Sequence, residues 1–127
     1  MKKIFLSFLV FLFVCLPVIS ESIDTVFLNV PQNVMPYLSK NAKLDLIDYA
    51  KCGMHDVFVE TQFGGKSQIV EYNDSSLTIK INEDFLWSLK MKINEENDTT
   101  YHIIKSIKSY SDTICSQNTY SKEWLPL

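Results

Sequence analysis

The nine residues Phe85–Ile93 constrain the fold more than any other stretch of the chain. Phe85, Trp87, Leu89, Met91 and Ile93 alternate with Ser88, Lys90 and Lys92, the two-residue period of a strand with one face buried and the other wet. A strand of this kind belongs in an antiparallel sheet covered on a single side. Burying its apolar face contributes roughly 1.5–3 kcal/mol per large side chain, so the chain must also supply neighbouring strands and a layer to cover them.

The flanking sequence offers both. Leu77, Ile79 and Ile81 alternate with Thr78 and Lys80, the Asn73-Asp74-Ser75 turn precedes them, and residues 67–72 read as a further strand. Gly64-Gly65 supplies the positive φ of a hairpin turn after an alternating segment over residues 56–63. Beyond an acidic turn at residues 94–98, residues 101–110 read as a strand with Ile103 and Ile107 on one side. After Asp112 the periodicity fades: Thr113-Ile114-Cys115 makes at most a short strand, and residues 116–127 read as irregular, with Trp124 as the residue to pin them down. Upstream, residues 21–30 suggest an extended lead-in. Two helical segments then follow, one opened by Asn33 with Pro36 early in it, the other capped by Asn41, carrying Leu44, Leu46, Ile47 and Ala50, and stopped by Gly53. The expected fold class is α+β, two N-terminal helices packed on a mostly antiparallel meander sheet of about five strands, forming a single domain over residues 21–127.

Residues 1–20 have the grammar of a cleavable export signal: Lys2 and Lys3, an almost unbroken apolar run, then Pro17 and the small residue Ser20. Cleavage near Ser20 would start the mature chain at Glu21 and place it in the periplasm or outside the cell. The apolar run is shorter than the ~18–20 residues of a membrane span, so no stable span is expected after processing. Val14 before Cys15 lacks the small side chain that a lipid-attachment site requires.

Without that leader the chain has ten lysines against fifteen acidic residues, a net charge of −5, and no arginine. Capture of a polyanion leans on a basic surface and on bidentate arginine contacts, so neither nucleic acid nor an anionic membrane surface is expected as a partner. Two cysteines remain after processing, Cys52 and Cys115. In an oxidising compartment they could form a disulfide, and two unpaired thiols fit the sequence nearly as well.

Few motifs suggest chemistry. Gly65-Lys66-Ser67 has the ending of a phosphate-binding loop, but Glu60 stands where the pattern needs its first glycine, and the triplet falls between strands rather than before a helix. Cys52 and His55 are spaced as two zinc ligands or as a nucleophile and base, yet a structural zinc site needs a second matched pair, and a dyad needs an orienting third group. Glu83-Asp84 and Glu95-Glu96 lie in turns, where carboxylates are ordinarily solvated. No catalytic, cofactor or metal residue set emerges.

Several phrases together resemble an uncharacterised family of exported proteins of Bacteroides-type bacteria, the domain of unknown function 3256. They are Val26-Phe27-Leu28-Asn29-Val30-Pro31, Met35-Pro36-Tyr37-Leu38, Leu44-Asp45-Leu46-Ile47-Asp48-Tyr49, Phe63-Gly64-Gly65-Lys66-Ser67 and Glu123-Trp124-Leu125-Pro126-Leu127. The resemblance is to the N-terminal half of longer members. It implies compartment and host but no activity. The function expected from the residues is a non-enzymatic module that binds a protein or cell-envelope component, with Thr78, Lys80, Ser88, Lys90 and Lys92 as the candidate binding face. The rival readings are a small cysteine-dependent enzyme centred on Cys52 and His55 and a self-assembling structural subunit.

Overall fold

The computed structural model describes residues 22–54 and 57–127. The leader read over residues 1–20, and His55, lie outside the described residues.

Among the described residues two helices precede the sheet. Helix α1 spans Ile23–Leu28, and Ser22 caps it by accepting the Thr25 backbone N–H on its side chain. The lead-in expected to be extended is therefore helical. Val26, Leu28 and Val30 suggest a period of two, but Ile23, Val26, Phe27 and Val30 are the residues buried, and their spacing is that of one helical face. The segment expected to be the first helix, around residues 33–38, is instead a series of turns. Val34 and Met35 both donate to the Pro31 carbonyl and close a single turn. Pro36 has no N–H to continue it and biases Met35 away from helical geometry. Val34, Met35 and Leu38 are nonetheless buried in the core.

Helix α2 spans Lys40–Lys51 and is capped by Ser39, whose side chain accepts the Ala42 N–H at 3.1 Å; Asn41 lies inside the helix rather than capping it. Its buried face is Ala42, Lys43, Leu46, Ile47 and Ala50, while Leu44 faces out. Gly53 ends the helix as expected, at φ +71°, with its N–H on the Ala50 carbonyl and that of Met54 on Tyr49. That pair of bonds is a Schellman motif, which needs the left-handed residue glycine supplies without strain.

The sheet has six strands rather than about five, each antiparallel to the next in sequence: β1 Val59–Glu60, β2 Lys66–Tyr72, β3 Ser76–Asn82, β4 Phe85–Ile93, β5 Thr99–Ser109 and β6 Asp112–Tyr120. Only two residues of the alternating segment before Gly64-Gly65 pair as a strand. Thr61 closes the turn that follows, its N–H on the Gly65 carbonyl and its hydroxyl accepting the Gly65 N–H. The largest difference from expectation is β6. It is a full nine-residue strand that pairs with β5 without interruption from Ser109↔Asp112 to Tyr101↔Tyr120.

One face of the sheet carries the core. Trp87 at its centre is fully buried and meets Phe27 of α1 at 6.0 Å between ring centroids, with Leu77, Ile79, Leu89 and Ile103 beside it. Asp24 joins three elements, because its carboxylate accepts the Tyr72 hydroxyl of β2 and pairs with Lys51 of α2 at 3.2 Å. Burial first, and the contact with the Asp24 carboxylate second, push the pKa of the Tyr72 phenol up to about 12. Lys43 is buried on α2 with its ammonium on the Val30 carbonyl at 3.2 Å, and burial lowers its pKa. The C-terminal tail is pinned as expected: Trp124 stacks on Tyr101 and Tyr120 at 4.7 and 5.6 Å.

Candidate binding face

The second face of the sheet carries no layer among the described residues, and its side chains follow from the register. Three cross-strand rows define it. Ser76, Lys90, His102 and Thr119 form one; Thr78, Ser88, Ile104 and Gln117 the next; Lys80, Leu86, Ser106 and Cys115 the third. Lys92 lies opposite Thr100, and Lys108 opposite Thr113, at the two ends.

All five residues expected to form a binding face therefore fall on this surface, on adjacent β3 and β4. They are not equally available. Thr78 is buried, flanked by Glu71 and Ser88, and its hydroxyl is bonded to the Ser88 hydroxyl at 2.9 Å. Lys80 reaches the Glu83 carboxylate in the adjoining turn at 3.1 Å, an exposed pair worth little to stability. Lys90 and Lys92 put positive charge at one end of the face, and Lys108 on β5 puts it at the other. Glu71 of β2, beside Thr78, also lies on this face, but the lysines outnumber it, whereas the chain as a whole is acidic.

His102 is the residue that sequence reasoning missed. It stands between Lys90 and Thr119, with Nε2 at 3.0 Å from the Thr100 hydroxyl. Its Nδ1 lies 3.0 Å from the Gln117 amide nitrogen and 3.3 Å from the Thr119 hydroxyl. An amide NH₂ only donates, so Nδ1 accepts and the proton sits on Nε2, a neutral ring. Burial first, and the Lys92 ammonium second, hold its pKa below the ordinary value. The only signal in the sequence is a set of polar residues two apart on two segments, Thr100 with His102 and Gln117 with Thr119, and it has meaning only once the register is known.

The other candidates do not converge. Cys52 is the C-cap of α2, which lies against β1 and β2, whereas Cys115 is in the middle of β6. Four strand spacings of ~4.8 Å separate β2 from β6, and a bridge requires Cα atoms within about 7 Å. Both cysteines are free and exposed, so the disulfide is not formed. The Ser67 hydroxyl, which would end a phosphate loop, is buried and donates to the Val59 carbonyl at 2.6 Å. Among the described residues no three His, Cys, Asp or Glu side chains gather as a metal site, and no helix is long and apolar enough to cross a membrane.

Among the described residues, fold and face together define an α+β domain in which two helices cover one side of an antiparallel meander and no layer covers the other. The chain belongs to the family described as protein of unknown function (DUF3256), whose model matches residues 15–127. Among solved structures it is similar to a domain of an uncharacterized protein from Porphyromonas gingivalis W83, with a TM-score of 0.67 and 17% sequence identity. That match covers 85% of this chain and 55% of the other, so the present chain spans little more than half the length of the solved one. The likeness is one of fold. No curated protein matches the sequence.

Proposed function

We propose that this protein is an exported, non-enzymatic binding module whose open sheet face engages an anionic surface of a protein or cell-envelope component. The observation that carries the reading is the excess of positive charge on that face, where Lys90, Lys92 and Lys108 project from a chain of net negative charge. A flat sheet offers many side chains at fixed spacing, and a like-signed cluster steers an oppositely charged partner towards it. Leu86, 39% exposed, and the half-buried Ile104 give the face an apolar middle within its polar surround, as binding surfaces commonly have. The leader-like residues 1–20 support export.

The test is in-cell photo-crosslinking from position 88 at the centre of the face. A reproducible adduct that disappears in a Lys90→Glu/Lys92→Glu variant, while thermal unfolding of the purified variant is unchanged, is the expected result. Adducts that persist in the charge-reversed variant, or no adduct at all, would refute the reading.

A further inference from the structure

The two edges of the sheet are treated differently. β1 is two residues long and lies beside α2, so that edge offers almost nothing to pair with. β6 offers nine residues. Edge strands are normally blunted by bulges, prolines or charges, and β6 has none of these through its middle. Its ladder with β5 runs without a register shift, and between Asp112 and Tyr120 it carries neither proline nor charge.

The free part of this edge has defined ends. The tail folds back at the C-terminal end, where Tyr120 bridges Pro126 and the Leu127 N–H donates to the Thr119 carbonyl at 2.9 Å. At the other end Asp112 leaves the hairpin turn. The open stretch is residues 112–118, and its midpoint is Cys115. Because the Thr119 carbonyl points away from β5, the alternation of an antiparallel strand aims the N–H and C=O groups of Thr113, Cys115 and Gln117 outward as well. They take no backbone partner among the described residues.

We infer that β6 pairs antiparallel with β6 of a second copy of this chain, about a two-fold axis at Cys115. In that register Thr113 faces the second copy's Gln117, and Cys115 faces its own mate, so each outward N–H of the three residues meets a carbonyl across the axis. A two-fold axis at the midpoint of the open stretch pairs that stretch with itself over its full length. It stops where the tail begins on one chain and the hairpin turns on the other. The only charged residue in the stretch, Asp112, falls opposite the uncharged Asn118, so no like charges meet. The contact is isologous and joins two six-stranded sheets into one of twelve, with both open faces on the same side. It stands whether or not that face binds a partner.

A contact of one strand pair is at the small end of specific interfaces, so the dimer forms with a dissociation constant on the order of micromolar or weaker. Protein purified from the cells that express and process it is examined by sedimentation equilibrium from about 1 to several hundred micromolar. Twice the chain mass at the upper end is expected. Cys115→Lys, which sets two ammonium groups face to face on the axis, shifts the dissociation constant by at least about tenfold, whereas Cys115→Ser leaves it within about twofold. In a Cys52→Ser background a short bismaleimide links Cys115 to Cys115 at the upper end of that concentration range, and the reciprocal Cys115→Ser chain under the same conditions is not linked through Cys52. A monomer at every concentration would overturn the inference, as would a dimer that Cys115→Lys leaves intact or one without the Cys115 crosslink. Circular dichroism of Cys115→Lys establishes that it is folded.

Discussion

The sheet contains two regions built by the same hydrogen-bond ladder and stabilised by different means. Across β2, β3 and β4 the helices cover one face, and Leu77, Ile79, Trp87 and Leu89 have no exposed surface. In the β5–β6 hairpin the same face runs out from under the helices: Ile107 and its cross-strand partner Ile114 are 43% and 62% exposed, and every residue from Asp112 to Asn118 is open to solvent. The first region is held by burial, the second by pairing. Backbone pairing contributes a modest net amount per bond, so strand geometry can be present where the hydrophobic term is nearly absent.

The sharpest way to break this comparison is to delete an apolar side chain from each region. Trp87→Ala is expected to cost about 3–5 kcal/mol in denaturant unfolding, a large part of a small domain's stability, and Ile114→Ala no more than about 0.5 kcal/mol. Equal costs would mean that the hairpin is buried in solution. A smaller effect of opposite sign is expected at the turn joining β5 and β6. Tyr110 is fully exposed there at φ +50°, a left-handed conformation unfavourable for a bulky side chain. Tyr110→Asn should raise stability by about 0.5–1 kcal/mol, seen as a higher unfolding midpoint with slower amide exchange in β6.

The smallest effect concerns pH. His102 links the two regions, being on β5 between Lys90 of β4 and Thr119 of β6. With its folded pKa below the ordinary 6.5, the unfolded chain binds the proton first, so this group's contribution is full above that value. It declines as pH falls through the folded pKa. Comparing thermal midpoints of the protein and His102→Asn from about pH 7 down to about pH 4 should show a difference of a few tenths of a kcal/mol that develops only in the acid range. A difference already present at neutral pH and constant with acidification would show that the ring acts through packing instead.

The same contrast decides what could be read from the sequence. β4 is legible because one face must be apolar and the other need not be, which writes a period of two into Phe85–Ile93. β6 is illegible because neither face is buried; nothing in Thr113, Cys115, Gln117 or Thr119 has to be apolar, and the register comes entirely from β5. Its turn is equally silent, since Tyr110-Ser111 lacks the Asn-Gly or Gly-Gly signature. α1 is too short for periodicity to separate helix from strand, and the deciding contact, Phe27 on Trp87, spans sixty positions. Of the open face, the lysines and hydroxyls of β3 and β4 were visible as outward positions of good strands. His102 and its partners were not, because they meet only through the unread strand.

The carboxylate that joins α1, α2 and β2 also bears on how the chain can be cut. Cleavage after Ser20 would leave the helix-capping Ser22 as the second residue of the new chain and Asp24 as the fourth. An exopeptidase working inward from that end would remove the cap first and then the group that accepts the Tyr72 hydroxyl and pairs with Lys51. The permissible N-terminus would thus be set to within a few residues by the contacts that Asp24 makes with β2 and α2. A cut displaced by one turn of helix would yield a chain of nearly the same length with its first helix unfastened.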